Sequence, residues 1–436
     1  MRILIVSPYF PPQQAVASLR LHSMAETWAQ AGEQVTVLTT HKQDDQRSMP
    51  LPCDGFTVVE IPYRIPRILQ RLRSREHAPG TPHKPARKPS PVIRTLRAIK
   101  NRTGIYSTIR MPDLTDRWVA PAIQWARDNG PWDFAISSSG PYTAHLVALA
   151  LRQGGEASRW GADFRDLWTQ NPGGRGLFPF TIRERALERQ CLATADCVTT
   201  VSEPLAESLR RQARGGVSVI YNGYRENELD SLPPESFFSN EGMTNLVYTG
   251  TVYPGYRDVL PLMEAMSKLK AGHPGIAAKL RLQVAGPLRD HWQRLAQKYD
   301  VQDMTQLYGV LPRVDALRMQ RDADGLVVIA WCDSGAGVLT SKLFEYLVAR
   351  APILVIGAGP DDPIAHVVQK AGRGVAPRTP RTPRNDIDEI AEILKTLIEN
   401  PQSLSTEPDA GYIRQFSRKA QAARLLTMMH KLASHP

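Results

Sequence analysis

A strand, a loop and a helix that leads back into a strand occur twice in this chain, once at its start and again past its middle. The first copy has an apolar strand at 3–6, a loop at 7–14, a helix over roughly 18–31 closed by Gly32, and a strand at 34–38. The second begins at Asn245: apolar residues at 246–248 lead into a turn at 249–255, a helix over roughly 258–270 and a strand at 280–285. Apolar runs of strand length alternating with helical periodicity mark βαβ units, whose parallel sheets are covered on both faces. A chain of 436 residues is too long for one ordinary core, so two such domains are expected. Residues 226–244 are polar, carry Pro233-Pro234 and lack apolar periodicity, which predicts a linker between domains at 1–225 and 245–411. Over 412–432, apolar residues at Ile413, Phe416, Ala420, Ala423, Leu425, Leu426 and Met429 predict a closing amphipathic helix.

The densest chemistry lies in Asp333-Ser-Gly-Ala-Gly-Val-Leu-Thr-Ser-Lys-Leu-Phe-Glu345, directly after the unbroken apolar strand Gly325-Leu-Val-Val-Ile-Ala330. A helix over 340–350 with Thr340 as its cap would follow a glycine-rich turn at the carboxyl end of a parallel strand, where such folds bind ligands. Lys342 falls in the first turn, where the helix dipole disfavours a cation by roughly 0.3–1 kcal/mol. Two readings fit it: a cation facing a bound diphosphate, or an i, i+3 pair with Glu345 worth about 0.2–0.5 kcal/mol.

These residues resemble the retaining nucleotide-sugar glycosyltransferases of family 4. Ser341-Lys-Leu-Phe-Glu-Tyr-Leu347 with Ala351-Pro352 is similar to that family's donor-site helix, and Arg2-Ile-Leu-Ile-Val-Ser-Pro-Tyr-Phe-Pro-Pro12 to its opening strand and loop. Asp163-Phe-Arg-Asp-Leu-Trp168, Ala195-Asp-Cys-Val-Thr-Thr-Val-Ser202, Ile220-Tyr-Asn-Gly223, Tyr248-Thr-Gly-Thr-Val-Tyr253 and Val284-Ala-Gly-Pro287 follow in family order. The resemblance implies the GT-B fold, two Rossmann-like doubly wound domains facing across a cleft, with the last helix (412–436) returning to the N-terminal, acceptor-side domain. It also implies a nucleotide diphosphate sugar as donor, no separate cofactor and no metal.

For the donor, the resemblance assigns Glu345 to the ribose and the backbone around Gly335, Gly337, Val338 and Leu339 to the sugar. Gly250 and Thr251 would allow close backbone approach, and Arg257 and Lys342 would meet the pyrophosphate. Gly286 ends another strand on the same sheet edge, and Leu311 sits in Tyr308-Gly-Val-Leu-Pro312, similar to the family's base-contacting turn. Two departures stand out. Many members carry two glutamates eight positions apart; Glu345 matches the second, while Gly337 occupies the first position. The usual glycine pair of the first loop is replaced by Gln13-Gln14-Ala15.

Transfer needs an acceptor for the incoming hydroxyl's proton and stabilisation of the departing diphosphate. Retaining members of this fold generally lack a clear protein nucleophile, and the leaving phosphate takes the proton on the face of attack. Asp163, Arg165 and Asp166, where an apolar strand would end, are candidate catalytic residues or a structural ion-pair network; His145, inside a helix, is a candidate catalytic or packing residue. Asp322 and Asp324 look like a metal pair, but they precede a buried strand, where acids serve as helix-end and turn residues.

Cys53, Cys191, Cys197 and Cys332 have neither disulfide-framework nor zinc spacing, which suits a reducing, cytoplasmic setting. No run reaches the roughly 18 apolar residues that span a membrane. From Arg64 to Arg102, twelve Lys or Arg stand against one acid, Glu76, a surplus equal to the chain's whole net charge of +11. This segment could attract an anionic membrane surface or stand as a solvated insertion, and it lacks the aromatic platforms that nucleic acid would need. The expectation is a glycosyltransferase of bacterial surface-polysaccharide assembly, cytoplasmic and at most peripheral on the membrane, acting on a glycan, lipid-linked or protein acceptor. A nucleotide-sugar epimerase of the same fold and a non-catalytic binding protein are the alternatives.

Overall fold

The computed structural model describes residues 1–65, 95, 98–100, 102–171, 174–226, 228–239, 242–255, 259–330, 339–359, 361–376 and 385–434. The chain forms two compact units, Met1–Asn222 with Arg418–Pro436, and Gly223–Ser417.

The first unit is built on a parallel sheet of β1 (Arg2–Val6), β2 (Gln34–Thr40), β3 (Thr57–Ile61), β4 (Trp132–Ser139), β5 (Ala157–Phe164), β6 (Cys197–Thr200) and β7 (Val217–Val219), ordered β3-β2-β1-β4-β5-β6-β7. Ile3, Leu4, Ile5 and Val6 are all fully buried, as the unbroken apolar run of β1 requires of a strand covered on both faces. β1 pairs with both β2 and β4, so the strand order reverses between β1 and β4. The second unit repeats the plan with β8 (Thr244–Thr249), β9 (Leu280–Ala285), β10 (Thr305–Gly309), β11 (Gly325–Ile329), β12 (Ile353–Ile356) and β13 (Gly374–Val375), ordered β10-β9-β8-β11-β12-β13. Here the reversal falls between β8 and β11. Side chains at the carboxyl ends of strands beside such a reversal converge on one crevice.

Element edges differ from the sequence reading. The first helix is Val16–Gln30, ended by Gly32 in the left-handed region at φ +89°. The helix after β11 is the seven residues Ser341–Leu347. The closing segment is two helices, Ala410–Arg414 and Arg418–Ser434, interrupted where the Tyr224 amide donates to the Phe416 carbonyl at 3.1 Å. The second of them belongs to the first unit, where the Trp28 indole donates to the Ala422 carbonyl at 2.8 Å.

The division between units falls before Gly223, so the polar stretch 226–244 lies within the second unit. Main-chain bonds hold it to helix Arg313–Arg321: the Phe237 amide donates to Asp322 at 2.7 Å, and Arg321 donates to the Glu235 carbonyl at 2.9 Å. Asp324 accepts from the Asn245 amide at 2.7 Å. Asp322 and Asp324 thus tie down turn and strand backbone.

Candidate active site

In the second unit, three strands end in glycine. Gly250 follows β8, Gly286 follows β9 and Gly309 closes β10, with φ of +145°, +157° and +73°. The Gly250 amide donates to the Ala285 carbonyl at 2.8 Å, and the Gly286 amide to the Gly309 carbonyl at 2.7 Å, so the three turns form one continuous edge of backbone. A Cβ on Gly286 would lie 2.0 Å from the Gly250 carbonyl oxygen, closer than any side chain can approach. A Cβ on Gly250 would stand 3.9 Å from the Lys342 side chain, which puts helix Ser341–Leu347 beside this bare edge. Thr251 is half-buried, and its carbonyl accepts from the Tyr248 hydroxyl at 3.0 Å.

Helix Ser341–Leu347 starts as its sequence predicts, the Thr340 hydroxyl accepting from the Lys342 amide at 3.4 Å. Glu345 is only 5% exposed and accepts from Lys342 at 3.0 Å, Arg313 at 3.2 Å and Gln320 at 3.4 Å. The i, i+3 pair is therefore formed, yet Lys342 keeps 30% of its side chain exposed. Arg313 is held from its other side by Glu228, at 2.8 and 2.7 Å in a two-pronged contact. Burial alone would lower the Arg313 pKa, but Glu345 and Glu228 together hold it above its ordinary value. Gln320 also donates to Thr249 at 2.9 Å, and Thr249 bonds the Tyr346 hydroxyl at 3.0 Å, so a buried polar chain fixes the glutamate to the end of β8. Leu339 is buried and Leu311 half-buried. Arg257, Gly335, Gly337 and Val338 lie outside the described residues, as does most of the basic segment 64–102.

In the first unit the strand ends carry side chains instead. Asp163, fully buried at the end of β5, accepts from Arg20 at 2.9 and 3.2 Å, from Ser138 at 2.8 Å and from Thr199 at 2.8 Å. Burial would raise its pKa, but Arg20 and the two hydroxyls hold it below the usual carboxylate range. His145 is also fully buried, its ring 4.2 Å from that of Phe164 and its Nδ1 2.7 Å from the Ser137 hydroxyl. Burial pushes its pKa down to about 3. Neither residue is among those that line the cavity next to them.

That cavity, of about 210 Å³, is lined by Tyr9, Tyr142, Arg165, Asp166, Trp168 and Asn171 among others, beside the β1–β4 reversal. Arg165 donates to Ser138 at 3.2 Å and to the Gly140 carbonyl at 2.9 Å; Asp166 is exposed. Tyr142 and Trp168 stack with ring centres 4.8 Å apart.

The sequence profile of the glycosyl transferase 4-like domain matches residues 17–223. Residues 17–223 thus form a glycosyl transferase 4-like domain, and the chain is a glycosyltransferase. No individual curated protein matches the sequence. Solved structures agree on the fold. Sucrose-phosphate synthase from Thermosynechococcus elongatus aligns with a TM-score of 0.61 at 14% identity, over 100% of this chain and 99% of that one. WaaG, a glycosyltransferase involved in lipopolysaccharide biosynthesis, gives 0.56 at 14% identity over 99% and 98%. The trehalose 6-phosphate synthase from Burkholderia multivorans gives 0.62 at 12% identity over 99% and 98%. The two Rossmann-like units are thus those of GT-B. Among the described residues, no helix of this glycosyltransferase is long and apolar enough to cross a membrane.

Of the partners of Glu345, Lys342 was legible in the glycosyltransferase's sequence, but Arg313 and Gln320 were not found there. Arg313 and Gln320 lie seven positions apart on one helix, hence on one face two turns apart, and Arg313 directly follows the turn 308–312. That polar i, i+7 pair was the available signal. Tyr9, Tyr142 and Trp168 gave none, because only folding gathers them round one cavity.

Proposed function

We propose that this glycosyltransferase draws its sugar from a nucleoside diphosphate sugar held at the carboxyl edge of β8–β10 and passes it, with retention of configuration, to a hydroxyl of a glycan, lipid-linked or protein acceptor. The observation that carries this reading is the bare edge of Gly250, Gly286 and Gly309 beside Lys342, Glu345 and Arg313. Backbone stripped of side chains lets phosphate oxygens reach amide hydrogens. Lys342 brings a partly exposed cation to the diphosphate. Glu345, backed by Arg313 and Gln320, offers carboxylate oxygens to the ribose hydroxyls.

On the family resemblance, Thr251, Arg257, Leu311 and the loop of Gly335, Gly337, Val338 and Leu339 complete the donor site. The bond from the anomeric carbon to the phosphate oxygen breaks while one to the acceptor oxygen forms on the same face. The departing phosphate takes the acceptor's proton, and Lys342 and Arg257 stabilise its charge. In the first unit, Arg165 and Asp166 serve the acceptor in the cavity of Tyr9 and Trp168, with Asp163 and His145 holding its wall through Ser138 and Ser137. The likeness to WaaG and the basic segment 64–102 favour an acceptor of bacterial surface polysaccharide, met at the inner membrane face.

The test is to incubate the purified protein with a panel of nucleotide sugars, following thermal stabilisation and product. Stabilisation by one donor with slow release of its sugar in the donor's own anomeric form is expected. Interconversion of sugars without release, or no response to any donor, would overturn the reading.

A further inference from the structure

Helix Phe180–Thr194 has two faces of opposite character. Inward, Glu184 and Glu188 are buried; Glu184 accepts from the Met111 amide at 2.6 Å and from the Trp168 indole at 3.4 Å, and Glu188 from the Thr169 amide at 3.2 Å. This face therefore grips the loop that walls the first-unit cavity. Outward, Ile182, Ala186 and Arg189 follow at i, i+4 and i+7, flanked by Arg183 and Arg185, all exposed. Phe178, just before the helix, is 76% exposed and Ile182 61%, and Arg175 is exposed next to them. Both acids of the helix point inward, so nothing on it offsets the outer arginines.

We infer that this outer face docks on a bilayer surface containing anionic lipid. Phe178 and Ile182 enter the boundary between headgroups and acyl chains, while Arg175, Arg183, Arg185 and Arg189 meet lipid phosphates. Two large apolar side chains left in water among exposed arginines suit a surface that is anionic outside and oily beneath. A nucleic acid would use the charge but leave the apolar centre without a partner. The surface is separate from the 64–102 segment and from the donor site. One consequence rests on the proposed function: if the first-unit cavity takes the acceptor, this docking places its wall beside the lipid, which selects an acceptor carried on a lipid anchor.

The experiment is co-sedimentation of the full chain with vesicles of phosphatidylglycerol mixed with phosphatidylcholine, and with vesicles of phosphatidylcholine alone. Binding to the mixed vesicles only is expected. The combination Arg183→Gln, Arg185→Gln and Arg189→Gln should weaken it by roughly a hundredfold, and Phe178→Asp with Ile182→Asp by about tenfold or more. A chain lacking 74–90 should keep binding that these substitutions then remove, which separates the helix from the other basic segment. Unchanged melting temperature in each variant establishes that it is folded. Undiminished sedimentation of both variants, equal binding to both vesicle types, or retention on DNA with none on vesicles would each overturn the proposal. None of these outcomes bears on the donor reading, which nucleotide titration of the same samples decides.

Discussion

The carboxyl edges of the two sheets solve the same topological problem in opposite ways. In the first unit, the edge is crowded with side chains that satisfy one another: Asp163 alone takes donors from Arg20, Ser138 and Thr199. In the second unit, among the described residues, β8, β9 and β10 end in Gly250, Gly286 and Gly309, and the buried carboxylate of Glu345 is shared with a lysine that still faces solvent. The saturated edge has a cavity beside it, and on the proposed function its buried acid is scaffolding. The stripped edge exposes backbone beside Lys342, a cation paired with Glu345 yet still 30% exposed, and on the proposed function this is where the diphosphate enters. Asp163 and Glu345 look equivalent as buried acids facing arginines, and the contrast between their surroundings is why the proposed function gives them different work.

The sharpest way to break this contrast is at Asp163. Asp163→Asn leaves Arg20 buried without its counter-charge and should cost about 3–5 kcal/mol of stability, measured by urea unfolding. Since the Asp163 pKa is depressed in the fold, its contribution is full above its unfolded value of roughly 4 and is lost as pH falls through the folded value. His145, held neutral by burial with its pKa pushed down to about 3, adds to acid sensitivity from pH of about 6.5 downward, because only the unfolded chain takes up that proton. The parent should therefore lose stability steadily below that pH, and His145→Gln should flatten the upper part of that limb. An acid limb unchanged in both variants would mean that these groups are not locked as described.

Gly286→Ala is next in size. Its Cβ would meet the Gly250 carbonyl, so the turn must open, at a cost on the order of 3 kcal/mol, with nucleotide binding lost along with it. Gly309→Ala meets nothing within 4 Å and pays only for its positive φ. Equal melting temperatures for the two would show that close backbone approach does not shape this edge.

Much of the second site could be read from the chain itself. Gly250 and Gly286 each end an apolar run, and Thr340, Lys342 and Glu345 sit within one helical turn and its cap, so local spacing sufficed. Arg313 could not be read in the same way, because it reaches Glu345 only after β10 and β11 have been laid on either side of the sheet's reversal. The polar stretch 226–244 reads as a linker because several of its bonds are made by backbone, through the Phe237 amide and the Glu235 carbonyl, and its side-chain bond, Glu228 to Arg313, joins residues far apart in the chain. The closing helix reads as continuous because Phe416 keeps the apolar period through the turn at 415–417.

Glu345→Gln carries the comparison to the ligand. If Glu345 accepts ribose hydroxyls, the substitution should weaken binding of a nucleoside diphosphate by about 1.5–3 kcal/mol in calorimetry, with the fold intact. Asp163→Asn, in a sample still folded, should leave that affinity unchanged, since the two acids belong to different units. Reversed effects would exchange their roles.

The smallest effect is the most direct test. Calorimetric titration of the parent and of Lys342→Ala with a nucleoside and with its diphosphate asks whether the stripped edge holds phosphate. The parent should bind the diphosphate more tightly than the nucleoside, and Lys342→Ala should erase about 1 kcal/mol of that preference while leaving nucleoside affinity as it was. Equal losses for both ligands, or no preference in the parent, would contradict the account.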